Sequence, residues 1–193
     1  MPRKGNSTPA EIMDVAMTLF VERGYDKTSL REIAEACGLT KAALYYYFRT
    51  KDMIVRAALD AYTESIVDLL DWLDATDPGP KRDVEFVDRL LAIFDGQGSL
   101  ALRFTQSNPT VLAREDFSHR NVDHIRELVT RIAGPDPDPD AVLRATMAVG
   151  SLVLSAMPET PIGPIGDADS RRKAARALAL EILTPLSARR AGC

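Results

Sequence analysis

The chain of 193 residues is 46% apolar and 6% aromatic, sets 24 Lys and Arg against 28 Asp and Glu for a net charge of −4, and has two cysteines. A chain of this length buries roughly 70% of the surface its unfolded form exposes, so it needs neither a disulfide framework nor a structural metal, and Cys37 and Cys193 imply a reducing compartment. No run of about 18 uncharged apolar residues is available to span a membrane, and Met1 to Asn6 lack the apolar run of a secretion signal, so a cytoplasmic protein is expected.

Thr8-Pro9-Ala10-Glu11 opens the first element. The Thr8 hydroxyl can accept from an orphan backbone amide, Pro9 sits where a missing N–H costs nothing, and Glu11 can reach back to the cap. Ile12, Ala16, Leu19 and Phe20 then recur at helical spacing until Gly24, which predicts a helix from about Pro9 to Arg23. Thr28 or Ser29 caps the next segment, where Leu30, Ile33 and Ala34 repeat, and Gly38 supplies the positive φ that ends it. Thr40 caps a third helix almost at once. So short a connection, Cys37-Gly38-Leu39, forces the two helices to cross steeply, the geometry of a helix-turn-helix. Leu44 and Phe48, four apart, anchor the third helix on the first two.

Thr50-Lys51-Asp52 opens a long fourth helix, with apolar positions continuing through Ile54, Ala58, Tyr62, Ile66, Leu69 and Leu73 to the stop at Asp77-Pro78-Gly79-Pro80. Further helices are expected near 82–95, 98–106, 109–133, 139–157 and 168–188, separated by Gly96 to Gly98, Asn108-Pro109, the Pro/Asp run 134–139 and a loop from Pro158 to Gly166. No segment alternates with period two for long enough to predict a strand. The fold class is therefore all-α, with about nine helices and no internal repeat.

The string from Thr28 to Asp52, TSLREIAEACGLTKAALYYYFRTKD, closely resembles the tetracycline-repressor (TetR) family of bacterial regulators, and the preceding Ala16, Leu19, Phe20, Gly24 and Tyr25 are similar to that family's first helix. The resemblance covers about residues 9–55. It implies a three-helix DNA-binding head, here residues 1–51, and a larger helical body, residues 52–193, that binds an effector and dimerises through its last two helices. The charge divides along the same line: residues 1–51 hold eight Lys and Arg against six Asp and Glu, while residues 52–193 hold sixteen against twenty-two. The basic excess lies where a polyanion is met, and the acidic body is kept off it.

In a helix-turn-helix the second helix lies in the major groove with its first residues at the base edges, here Thr40, Lys41, Ala42 and Ala43. Lys41 can donate to guanine O6 or N7, Thr40 can reach a base or a phosphate, and the Ala42 methyl can touch a thymine methyl. The resemblance implies that Arg31 also reads a base, and that Thr28, Ser29, Tyr45, Tyr46, Tyr47 and Lys51 hold phosphates. Successive helical residues are about 100° apart, so the three tyrosines cannot all face one way.

For the body, the candidate dimer interface is Val142, Ala145, Val149 and Leu152 in one helix with Leu178 and Ile182 in the last, wide apolar faces that a four-helix bundle between two subunits can cover or that can serve as an ordinary intrachain core. Candidate ligand-pocket residues are Trp72, Phe86, Leu90, Phe94, Phe104, Phe117, Ile125 and Met147, for an apolar or amphipathic small-molecule effector, with plain core as the alternative reading. His119 and His124 lie five apart, about 140° around a helix, a poor joint geometry, so no metal is expected. No cofactor is expected either. With two histidines and no nucleophile, base or paired-acid constellation, no enzyme activity is expected. The function expected is a sequence-specific regulator, a repressor that binds a palindromic duplex operator as a homodimer and is released by its effector, coupled through the fourth helix. The alternatives are a regulator with no small-molecule ligand and a helical adaptor that never touches DNA.

Overall fold

The structure, a computed structural model, describes residues 8–108, 117–157, 159–160, 163–164 and 166–191. Among them are nine helices: α1 (Pro9–Arg23), α2 (Leu30–Ala36), α3 (Lys41–Tyr47), α4 (Lys51–Asp74), α5 (Pro80–Asp95), α6 (Gln97–Ser107), α7 (Phe117–Ala133), α8 (Pro139–Ser155) and α9 (Ala168–Ala191). The all-helical class follows the periodicity of the chain. Two differences are instructive. First, Glu159–Thr160 (β1) and Gly163–Pro164 (β2) form an antiparallel pair in the stretch expected as loop. Two-residue strands have no room to show alternation, so a sequence pattern cannot announce them. Second, α5 begins at Pro80 rather than 82, because Gly79 is the cap and Pro80 takes the first helical position, where it sacrifices no bond. The expected helix start at 109 lies outside the described residues.

The chain forms two compact units, Met1–Thr63 with Leu100–Glu115, and Glu64–Ser99 with Asp116–Cys193. In the first, the capping box at Thr8 is complete: its hydroxyl accepts from Glu11 N at 3.3 Å and its N–H donates to Glu11 Oε2 at 2.8 Å. Helix α1 buries Ile12, Ala16, Met17, Leu19 and Phe20. Ser29, not Thr28, caps α2, with a second capping box through Glu32. The turn into α3 is set by Gly38 at φ +66°, with Leu39 N–H donating to Ala34 O at 2.8 Å and Gly38 N–H to Glu35 O at 3.1 Å. This pair of bonds satisfies carbonyls at the end of α2, and only a residue without a Cβ adopts the left-handed corner cheaply. Ile33 and Leu44 are fully buried and Phe48 nearly so, which fixes α2 and α3 as one rigid pair. Removing the Leu44 side chain beyond Cβ should cost about 2–5 kcal/mol.

In the second unit, α9 packs chiefly on α8 and on α5, and α8 also packs on α7. Its core holds Phe86, Leu90, Leu128, Ile132, Ala145, Leu152 and Ala179, all at 0% exposure. Bidentate ion pairs tie distant elements: Arg131 to Asp74 at 2.8 and 3.0 Å, and Arg176 to Asp88 at 2.6 and 2.9 Å. Among the described residues no helix is long and apolar enough to cross a membrane.

Candidate nucleic-acid interface

The face formed by α2, the turn and α3 is built by subtraction. The apolar side chains Ile33, Ala34, Leu44 and Phe48 point inward; of the residues between them Cys37, Leu39 and Ala43 are half-buried and the rest are exposed. Thr40, Lys41 and Ala42 are exposed at the start of α3, and Ala43 is half-buried. The Thr40 hydroxyl accepts from Ala43 N at 3.2 Å, which caps the helix and leaves the hydroxyl hydrogen able to donate outward. Lys41 Nζ stands 5.3 Å from the centre of the Tyr45 ring. A cation held over an aromatic face is pre-positioned rather than freely mobile.

The three tyrosines divide as the 100° spacing requires. Tyr46 is 84% exposed, while Tyr45 and Tyr47 are 38% and 37% exposed, with Tyr47 edge-on to Tyr46 at 5.2 Å. Tyr46 is the projecting group and its neighbours brace the two sides of the helix.

On α2, Ser29 and Arg31 are exposed. Arg31 Nε lies 2.8 Å from Glu35 Oε1, and the hydrogen bond to that carboxylate holds the guanidinium charge more firmly than usual. The backbone N–H of Ser29, and then its hydroxyl, hold the Glu32 carboxyl below the usual carboxylate range. Thr28 is placed differently: its side chain is 2% exposed and its hydroxyl donates inward to Gly24 O at 3.0 Å. Its work is to tie the end of α1 to the start of α2.

Lys51 is half-buried and donates to the Tyr25 carbonyl at 2.6 Å, with its ammonium 4.2 Å from the Tyr25 ring centre. Tyr25 in turn donates to Asp52 Oδ1 at 2.5 Å and packs against Phe20 at 5.1 Å and Phe104 at 5.9 Å. Sequence reasoning did not single out this knot, because its partners lie 26 and 27 residues apart. Arg49, exposed between α3 and α4, was also missed; a cation just ahead of a helix N-terminus was the available signal.

Of the candidate pocket residues, Phe86, Leu90 and Phe94 are buried in the second unit. Phe104 belongs to the aromatic cluster of the first unit, Trp72 is half-buried beneath the Arg89 guanidinium at 4.5 Å, and Met147 is 51% exposed. Ile125 is half-buried, and the Phe117 side chain lies outside the described residues. Among the described residues, none of these candidates lines the cleft of about 450 Å³ in the second unit, which opens between Leu73 to Pro78, Arg82, Thr130, Arg131, Gly134 and Pro135. Of the candidate interface residues, Ala145, Val149 and Leu152 are already covered inside one chain, Ile182 is half-buried, and Val142 and Leu178 are 41% and 48% exposed.

Residues 12–58 match the family model described as bacterial regulatory proteins, tetR family. Over 72 residues the chain is 33% identical to the HTH-type transcriptional repressor KstR2 of Mycolicibacterium smegmatis, covering 37% of this chain and 32% of that protein. The aligned segment thus spans about a third of the length of that relative. The fold extends further than the sequence likeness. The structure of the ketosteroid transcriptional regulator KstR2 of Mycobacterium tuberculosis superposes with a TM-score of 0.67 at 18% identity, covering 94% of this chain and 96% of that one. AibR in complex with isovaleryl coenzyme A and operator DNA superposes with a TM-score of 0.60 at 18% identity, covering 88% and 96%. The helix-turn-helix geometry above lies inside residues 12–58, the segment that matches the model of the tetR family of bacterial regulatory proteins.

Proposed function

We propose that the protein is a sequence-specific DNA-binding transcriptional regulator, a repressor that occupies a palindromic operator as a homodimer in the cytoplasm and is released by a small-molecule effector. The observation that carries this reading is the outward face of α3, where Thr40, Lys41 and Ala42 stand exposed at the N-terminal end and Tyr46 projects at 84% exposure. Residues 1–51 act as the DNA-binding head and residues 52–193 as the sensing and dimerising body. Thr40, Lys41, Ala42 and Ala43 meet base edges together with Arg31, while Ser29, Tyr45, Tyr46 and Tyr47 position the head on phosphates. Lys51 has two ammonium hydrogens left for a phosphate after its bond to Tyr25.

Dimerisation is supported by an apolar stripe that the chain itself leaves uncovered. Leu143, Met147 and Leu154 are 60%, 51% and 39% exposed, lie on one side of α8 at helical spacing, and are joined by Leu178 on α9. Gly150 falls in the same stripe, and a Cβ there meets nothing within 4 Å, so a second helix can approach closely. The effector reading is supported by AibR, whose structure holds isovaleryl coenzyme A and operator DNA together. Helix α4 runs unbroken from Lys51 to Asp74, so it is an element through which an effector can act by its differential affinity for two states.

Selection of bound sequences from a pool of random duplexes tests the reading. A palindromic consensus is expected, with affinity falling steeply as salt rises. Recovery of no consensus, with binding insensitive to salt, would sink it in favour of a protein-binding adaptor.

A further inference from the structure

The exposed surface of α2 carries two carboxylates with different employment. Glu32 is committed to its own helix, accepting from the Ser29 N–H at 2.8 Å and the Ser29 hydroxyl at 2.7 Å. Glu35 caps nothing in this way. It lies one turn beyond Arg31 and takes the Arg31 Nε–H at 2.8 Å, while the Arg31 side chain remains 81% exposed and the Glu35 side chain 61%. Exposed pairs of this kind contribute little to folding. On a surface that faces a polyanion, an acidic side chain also lowers affinity for every sequence alike. Stability and bulk affinity therefore both leave Glu35 unexplained.

Geometry supplies a reason. A guanidinium has three nitrogens in one plane, and a carboxylate on Nε fixes the rotation of that plane about the end of the side chain. The terminal nitrogens keep that plane, on a side chain that is 81% exposed. Their spacing is the one that meets O6 and N7 of guanine in a bidentate pair, the commonest specific contact in the major groove. A long side chain left free would lose much of that preference to its own rotamer freedom. We propose that Glu35 is a specificity-determining positioning residue, holding Arg31 end-on for one guanine in each half-site and trading overall DNA affinity for discrimination. The inference rests on the DNA-binding reading above.

The test uses the full-length protein and three variants, Arg31→Ala, Glu35→Ala and Glu35→Gln. Circular dichroism first establishes that each is folded. The wild-type consensus is obtained by selection from random duplexes, and binding is then titrated on that operator, on operators altered at each guanine, and on a scrambled duplex. Arg31→Ala identifies the guanine concerned by losing preference there alone. At that position Glu35→Ala is expected to lose roughly ten-fold in discrimination, the low end of what one bidentate pair supplies. Glu35→Gln keeps an oxygen acceptor within reach of Nε and should retain most of it. Both variants remove one negative charge per subunit, so both should bind the scrambled duplex about two- to three-fold tighter. Undiminished discrimination in Glu35→Ala overturns the inference, as does equal loss in Glu35→Ala and Glu35→Gln, which would make the effect one of charge and not of positioning. A wild-type protein that selects no consensus overturns the DNA-binding reading as well, and that result is visible before any variant is examined.

Discussion

Lys51 Nζ lies 2.6 Å from the carbonyl oxygen of Tyr25 and 4.2 Å from the centre of its ring, so one ammonium serves both the backbone and the side chain of the same partner. With Tyr25 bonded to Asp52, the corner after α1 is clasped to the first turn of α4. Lys51→Met keeps the aliphatic stem and removes the charge. The expected loss is about 1–2 kcal/mol of stability, combining a hydrogen bond to a charged group with a cation–π contact. Urea unfolding in the absence of DNA measures it, and an unchanged midpoint would return Lys51 to the role of a simple phosphate contact.

Thr28→Val tests the same corner from the other side. The methyl group is kept and the hydroxyl lost, leaving Gly24 O, and Leu19 O at 3.4 Å, without that donor. Because Thr28 is 2% exposed, stability should fall by about 1–3 kcal/mol. Operator affinity of the folded protein, titrated well below the unfolding temperature, should be nearly unchanged.

At the groove, Lys41→Ala and Tyr46→Ala are expected to weaken operator binding by about 1–3 kcal/mol per half-site, with thermal unfolding and dimerisation unaffected. Both side chains are exposed, so neither supports the core. Fluorescence anisotropy on a selected operator across several salt concentrations reads the loss, and parental affinity in either variant removes that residue from the interface.

The stripe on α8 predicts a change of assembly. Met147→Glu combined with Leu178→Glu places two charges on side chains that are 51% and 48% exposed in the single chain, so the fold should survive. Sedimentation equilibrium should show a dimer dissociation constant raised roughly hundred-fold, as expected when apolar contacts at an interface centre are replaced by buried charge. A dimer of parental affinity would move the interface elsewhere.

Acid should loosen the second unit through its ion pairs. The hydrogen bond from Arg131 holds Asp74 below the ordinary carboxylate range, and Arg176 does the same for Asp88. A carboxylate whose folded pKa is depressed contributes its stabilisation in full above the unfolded value, about 3.9, and loses it as pH falls through the lower folded value. Stability should therefore be flat in these groups near neutrality and decline below about pH 4. The Asp74→Asn variant should show a shallower decline over that range in urea unfolding followed against pH, with no difference in slope between pH 6 and 8.

How far the chain was legible from its residues varies with the distance over which each feature is determined. Caps, stops and the helix-turn-helix were readable because they are local: Thr8 with Glu11, Ser29 with Glu32 and the positive φ of Gly38 each depend on neighbours within a few residues. The inward and outward sides of α3 followed from periodicity, with Leu44 buried and Tyr46 projecting. The two-residue strands escaped notice because pairing, not pattern, makes them.

What the sequence determined by itself was the list of helices, the helix-turn-helix and the surface it turns outward. Only the tertiary structure decided which of two adjacent hydroxyls, Thr28 or Ser29, faces inward, that Lys51 is spent largely on Tyr25, and that Ala145, Val149 and Leu152 are covered within one chain while Leu143 and Met147 are not. The physical reason is common to all three. Periodicity tells a helix which of its faces is apolar, but whether that face meets its own chain, a second copy or water is set by contacts between residues far apart in sequence, and those exist only once the helices have packed.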